Sequence, residues 1–170
     1  MKKVLAALVV VGILAVVAAA PASAQDKKVG VSLNAGVQTN IFNGTSFDKV
    51  VFTVDGRVGL RLGRSFELSP EVMAVFSYFS LFGEGSGGTL LYPGVMLNYR
   101  SQGFFVGAGA VLPWAFYGGN SDTGRIAPKI NVGYKFPNGL QLTAYYLCWN
   151  EEGVNLFDIG FAGVTVGYRF

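Results

Sequence analysis

The stretch Phe52-Thr53-Val54-Asp55-Gly56-Arg57-Val58-Gly59-Leu60-Arg61-Leu62 decides how this chain folds. Phe52, Val54, Val58, Leu60 and Leu62 share one parity, while Asp55, Arg57 and Arg61 share the other. A period of two belongs to a β-strand, whose side chains alternate between faces. One face here is oily without interruption and the other carries three charges. The same reading extends along the chain to Val29–Val37, Leu68–Tyr78, Pro93–Tyr99, Phe104–Leu112, Ile126–Phe136, Leu140–Tyr146 and Gly160–Phe170. With Phe52–Leu62 these make eight strands, of a length suited to crossing a bilayer at a tilt.

The connections alternate in length. Gly63-Arg64-Ser65, Ser101-Gln102 and Pro137-Asn138-Gly139 are short; 38–51, 79–92, 113–125 and 147–159 are long. Short turns on one side and long loops on the other fit an even-numbered up-and-down barrel with both ends of the chain on the short-turn side. The expected fold class is therefore all-β, an eight-stranded antiparallel transmembrane barrel. Strand order is sequential, and Val29–Val37 closes against Gly160–Phe170.

Charge placement assigns the faces. Asp55, Arg57, Arg61, Glu67, Glu71, Arg100, Lys129, Lys135 and Arg169 all lie on one parity, and the opposite parity of the spans is uncharged. A charge turned toward the hydrocarbon midplane costs about 2–4 kcal/mol, so the uncharged parity is the lipid face. Most strand glycines, including Gly30, Gly59, Gly107, Gly109 and Gly167, accompany the charges. Glycine weakens a strand, and a narrow bore that must hold long polar side chains gives it a steric reason. Met73, Met96, Phe105, Val111 and Phe161 share that inward parity. Aromatics gather at both strand ends, with Phe66, Tyr99, Phe104, Tyr134, Phe136, Tyr168 and Phe170 at one, and Phe52, Tyr78, Tyr146, Trp114 and Trp149 at the other. This is the pattern of membrane girdles.

Residues 1–24 read as a cleavable secretory signal: Lys2 and Lys3, an apolar run over 4–20, Pro21, then Ala22-Ser23-Ala24 with Ala22 and Ala24 at the cleavage positions. Residues 25–170 are then the barrel domain. Removing two of the 13 basic side chains leaves eleven against ten acidic ones, which gives no basis for nucleic-acid binding. The absence of histidine excludes imidazole-based catalysis and histidine metal sites. The single cysteine, Cys148, excludes an internal disulfide framework and reads as a small apolar filler.

The chain closes on Val164-Thr165-Val166-Gly167-Tyr168-Arg169-Phe170. Its terminal Phe170, with Tyr168 and Val166 at alternate positions before it, resembles the insertion signal of bacterial outer-membrane barrels. Together with Gly103-Phe104-Phe105-Val106-Gly107-Ala108-Gly109, the mature chain resembles the small OmpA/OmpX-type outer-membrane β-barrel family of Gram-negative bacteria. The resemblance implies a place in the bacterial outer membrane, reached through the periplasm. It also implies contact with outer-membrane lipids and lipopolysaccharide, and handling by the barrel-assembly machinery through Tyr168 and Phe170. The peptidoglycan-binding domain that some members carry is not expected.

Two functions compete: a structural or surface-interaction protein of the adhesion or envelope-integrity type with a side-chain-filled lumen, and a small porin-like channel. The first is expected, since an eight-stranded bore is only wide enough for side chains. The inward charges then form a satisfied lumen network. A turn centred on Arg64 pairs Arg57 with Glu71 and Arg61 with Glu67, which predicts two cross-strand ion pairs. No enzyme, cofactor or metal is expected: Ser77, Ser80 and Ser86 lack an activating base. The acids Glu84, Asp122, Glu151, Glu152 and Asp158 match no calcium motif. The apolar segments 79–82 and Trp114-Ala115-Phe116-Tyr117 are expected as outer loops that meet lipid headgroups, or as an exposed edge for a surface protein partner. The barrel is expected as a monomer, because closure leaves no membrane-embedded edge.

Overall fold

A computed structural model describes residues 28–42, 46–80, 88–117, 120–148 and 159–170. Ten strand segments follow in order: β1 (Val29–Phe42), β2 (Ser46–Leu62), β3 (Phe66–Ser80), β4 (Gly88–Ser101), β5 (Phe104–Val111), β6 (Trp114–Tyr117), β7 (Asn120–Thr123), β8 (Ala127–Lys135), β9 (Leu140–Cys148) and β10 (Ile159–Arg169). β5 and β6 form one interrupted stave, β7 and β8 another, so the wall has eight staves. Every pairing is antiparallel, and β1 closes the cylinder against β10 with Ala35 opposite Val166.

The alternation that defined the strands is the alternation of the wall. Val106, Val132 and Val166 are each more than half exposed, while their neighbours Phe105, Asn131 and Thr165 are buried. A continuous jacket of exposed Val, Leu, Ile and aromatic side chains has no counterpart on a soluble monomer, where large apolar patches are rare. It is the surface of a barrel solvated by acyl chains.

Local chemistry sets the short turns. Gln102 (φ 48°) and Gly103 (φ 90°) form a two-residue hairpin loop with both φ positive, the twist that antiparallel strands favour. Phe66 with Tyr99, Phe104 with Tyr134, and Tyr168 with Phe170 make edge-on ring pairs beside these turns, with centroids 4.7–5.6 Å apart.

The strands run further toward the long-loop end than alternation alone indicates. β1 and β2 pair as far as Phe42 opposite Ser46, so most of the expected 38–51 loop is sheet. Trp114–Tyr117, expected in a loop, is β6, paired to Gly88–Leu91 of β4 and to β7. Above the bilayer the hydrogen-bond ladder persists, but lipid no longer dictates which residues alternate. Pro113 has no N–H to continue the ladder and separates β5 from β6. Segment 81–87 and most of 147–159 lie outside the described residues, as do Trp149 and the acids Glu84, Glu151, Glu152 and Asp158. Asp122 is in β7, and no acid or cysteine cluster suited to a metal occurs among the described residues.

Candidate functional site: the filled lumen

All nine charged residues singled out above project into the bore. The predicted register holds, with Arg57 opposite Glu71 and Arg61 opposite Glu67. The charges sort into two levels, capped by a third that is apolar.

The middle level joins two acids to two bases. Arg57 donates from Nε to Asp55 Oδ1 at 2.6 Å and from Nη2 to Asp55 Oδ2 at 3.2 Å. Its Nε also lies 3.2 Å from Glu71 Oε2, which is the first predicted ion pair. Glu71 Oε1 accepts from Lys129, whose ammonium sits 4.9 Å from the centre of the Tyr145 ring. Asn34 Nδ2 donates to Asp55 Oδ1 at 2.7 Å. Asp55 and Lys129 are wholly buried, yet each has an opposite charge at hydrogen-bonding distance, which is the condition for burying ions.

The level at the short turns centres on Glu67. Arg100 Nη1 (2.8 Å) and Arg169 Nη1 (2.7 Å) donate to its Oε2, and Lys135 Nζ (3.0 Å) donates to its Oε1. Ser69 Oγ adds a donor to Oε1 at 3.3 Å and itself accepts from Asn98 Nδ2. Glu67, opposite Arg61 in the ladder, thus also meets cations from beyond its own hairpin. In a bore this narrow a carboxylate on β3 reaches cations on β4, β8 and β10.

The third level lies toward the long loops. Val51, Met73, Val75, Tyr92, Val111, Ala127, Tyr145 and Leu147 form one buried apolar cluster, with Leu90 and Phe161 packed against it. Tyr145 OH donates to Gln38 Oε1 at 2.8 Å, which anchors the ring across the bore. The inward glycines provide the room. A Cβ on Gly59 would lie 2.7 Å from Glu67 Cδ, and one on Gly107 would overlap the Asn98 amide and lie 2.7 Å from Asn131 Oδ1. Gly56, on the outer face, has nothing within 4 Å of that position.

Tyr92 and Tyr145 were missed in the sequence. Tyr92 fell at the end of an expected loop, and Tyr145 was overshadowed by its girdle neighbour Tyr146. Asn34, Asn98, Asn131, Gln141, Thr143 and Thr165 were also passed over, although all are buried on the charged parity. Parity was the signal available for every one of them. Val166 is exposed on the outer face, Tyr168 and Phe170 pair at the short-turn end, and Ala22 and Ala24 lie outside the described residues.

No family model matches this chain, and no curated protein matches it. Solved structures do. The crystal structure of Neisserial surface protein A aligns with a TM-score of 0.58 at 15% identity, covering 84% of this chain and 96% of that one. A de novo designed transmembrane β-barrel aligns at 0.51 and 15%, covering 86% and 99%. This is a transmembrane β-barrel. The N-terminal barrel domain of Pseudomonas aeruginosa OprF also aligns, at 0.49 and 16%, covering 83% and 97%. At such identities the likeness establishes architecture, and the barrel's role rests on its own residues.

Proposed function

We propose that the protein is a monomeric barrel of the bacterial outer membrane that acts as a structural or surface-interaction protein, in adhesion or envelope integrity, and not as an open channel. The observation carrying this reading is the apolar layer of Met73, Tyr92, Val111, Tyr145 and Leu147, all less than 5% exposed, stacked on the ion-paired middle level. A hydrated ion meets two obstacles in series, one greasy and one electrostatically satisfied.

The interaction half of the reading draws on the long-hairpin end. β7 pairs with β6, and its other edge pairs with no described residue. Asn120–Thr123 is exposed throughout, and Trp114 on β6 is 42% exposed. A short polar edge beside an exposed ring suits strand addition by a surface partner or contact with lipopolysaccharide.

In this reading residues 1–24 are removed on export, with Ala22 and Ala24 read by the signal peptidase. Val166, Tyr168 and Phe170 present the final strand to the assembly machinery. Planar-bilayer recording of the purified barrel is the test. Absence of unitary current steps is expected, and steady single-channel steps would replace this reading with the porin-like one.

A further inference from the structure

The two charged levels of the lumen are unequally balanced. At the middle level Asp55 and Glu71 match Arg57 and Lys129. At the short-turn mouth Arg61, Arg100, Lys135 and Arg169 project inward around Glu67, and Lys28 and Arg64 stand exposed on the rim. Among the described side chains of that end, six cations accompany a single carboxylate, and four of the six turn into the bore.

Glu67 does not absorb this excess. Its two oxygens engage one nitrogen each from Arg100, Lys135 and Arg169, whereas a guanidinium carries five N–H donors and an ammonium three. Arg169 Nε and Nη2 are buried without an acceptor, beside Gly30, where no side chain fills the wall. The Arg100 and Lys135 side chains are 21% and 12% exposed, so the cluster is reached from the mouth. Cations gathered out of bulk water without equal countercharge are costly, and an anion relieves that cost.

We propose that this mouth is a binding cup for a phosphate group. A phosphate carries one negative charge as a diester and close to two as a monoester or free ion, on two or more non-bridging acceptor oxygens. It therefore serves cations that converge from several staves, and arginine forks match its geometry. The matched quartet and the apolar layer above make the cup blind, so a phosphate enters and leaves by the same side. An anionic pair of non-bridging oxygens is what free phosphate and the phosphodiester headgroup of an anionic phospholipid in the adjoining leaflet share. The proposal rests on the filled lumen of the reading above. Bilayer current tests that reading, whereas binding tests this one, so either can fail alone.

The experiment uses the full mature chain in neutral maltoside micelles. Inorganic phosphate is titrated in by calorimetry, and in a parallel arm phosphatidylglycerol retained by the protein is measured by native mass spectrometry. Saturable one-to-one binding is expected, weakening as sodium chloride is raised because the attraction is screened. The double variant Arg100→Gln/Lys135→Gln is expected to weaken it at least tenfold. Arg100→Gln alone, partly exposed and mild, is expected to weaken it about threefold, and Arg64→Gln on the rim less than twofold. Saturation by free phosphate assigns the soluble source. Lipid retention without it, lost in the double variant, assigns the headgroup. Binding of neither, or equal binding by native and double variant with native-like circular dichroism, overturns the proposal.

Discussion

Ala108→Arg tests the orientation of the whole wall. Ala108 is on the outer face of β5, between Leu97 of β4 and Ile130 of β8, both about half exposed. Phe104 at the short-turn girdle and Trp114 toward the outer one are ten residues apart along this stave. At about 3.3 Å per residue and a tilt near 40°, that separation is about 25 Å, the height of the apolar band of such barrels. Ala108 then lies about 10 Å from the Phe104 ring, close to the midplane. An arginine there is expected to destabilise the barrel by about 2–4 kcal/mol, whereas Ala108→Leu is expected to cost nothing. Reversible guanidinium unfolding of barrels inserted in lipid vesicles, followed by tryptophan fluorescence, measures both. On a water-exposed wall the same arginine would change stability by less than about 0.5 kcal/mol. A result that small would refute the lipid-facing assignment.

Three further outcomes are expected. Gly107→Val, which drives a side chain into Asn98 and Asn131, should destabilise by about 1–3 kcal/mol in the same assay, while Gly56→Val should be neutral or mildly stabilising; equal effects would contradict the packed bore. Glu67→Gln removes the common partner of Arg100, Lys135 and Arg169 and should cost about 3–5 kcal/mol, against less than about 1 kcal/mol for Asp122→Asn on exposed β7. Phe170→Ser should reduce assembled barrel in cells yet leave refolding from urea into micelles unchanged; equal loss in both would assign Phe170 a purely structural role.

The barrel itself was legible because lipid imposes a harsh rule: a charge on the wrong parity of Phe52–Leu62 or Ile126–Phe136 would be costly. Closure of β1 on β10 and the Arg57–Glu71 register followed from that rule and from the tight turn at Arg64. Strand ends were not legible. Beyond Gln38 and before Tyr92 the wall leaves the hydrocarbon, and backbone pairing continues without an alternating pattern to betray it. Within the bore, hairpin arithmetic identified neighbours across one ladder. It had no means of placing Lys135 or Arg169 on Glu67, since those meetings depend on how the cylinder closes. The apolar cluster was half visible: Met73 and Val111 were assigned inward, but Tyr92 and Tyr145 were masked by the habit of tyrosine as a girdle residue.

The stacking of the lumen makes the molecule one-sided. Solutes and protons arriving from the short-turn compartment meet Glu67 and its cations at once, whereas from the opposite compartment Tyr92, Tyr145 and Leu147 stand in the way. An acid pulse, a deuterium label or a charged reagent given to sealed vesicles should therefore act quickly from one face and slowly from the other. The two compartments thus address different chemistry within one lumen.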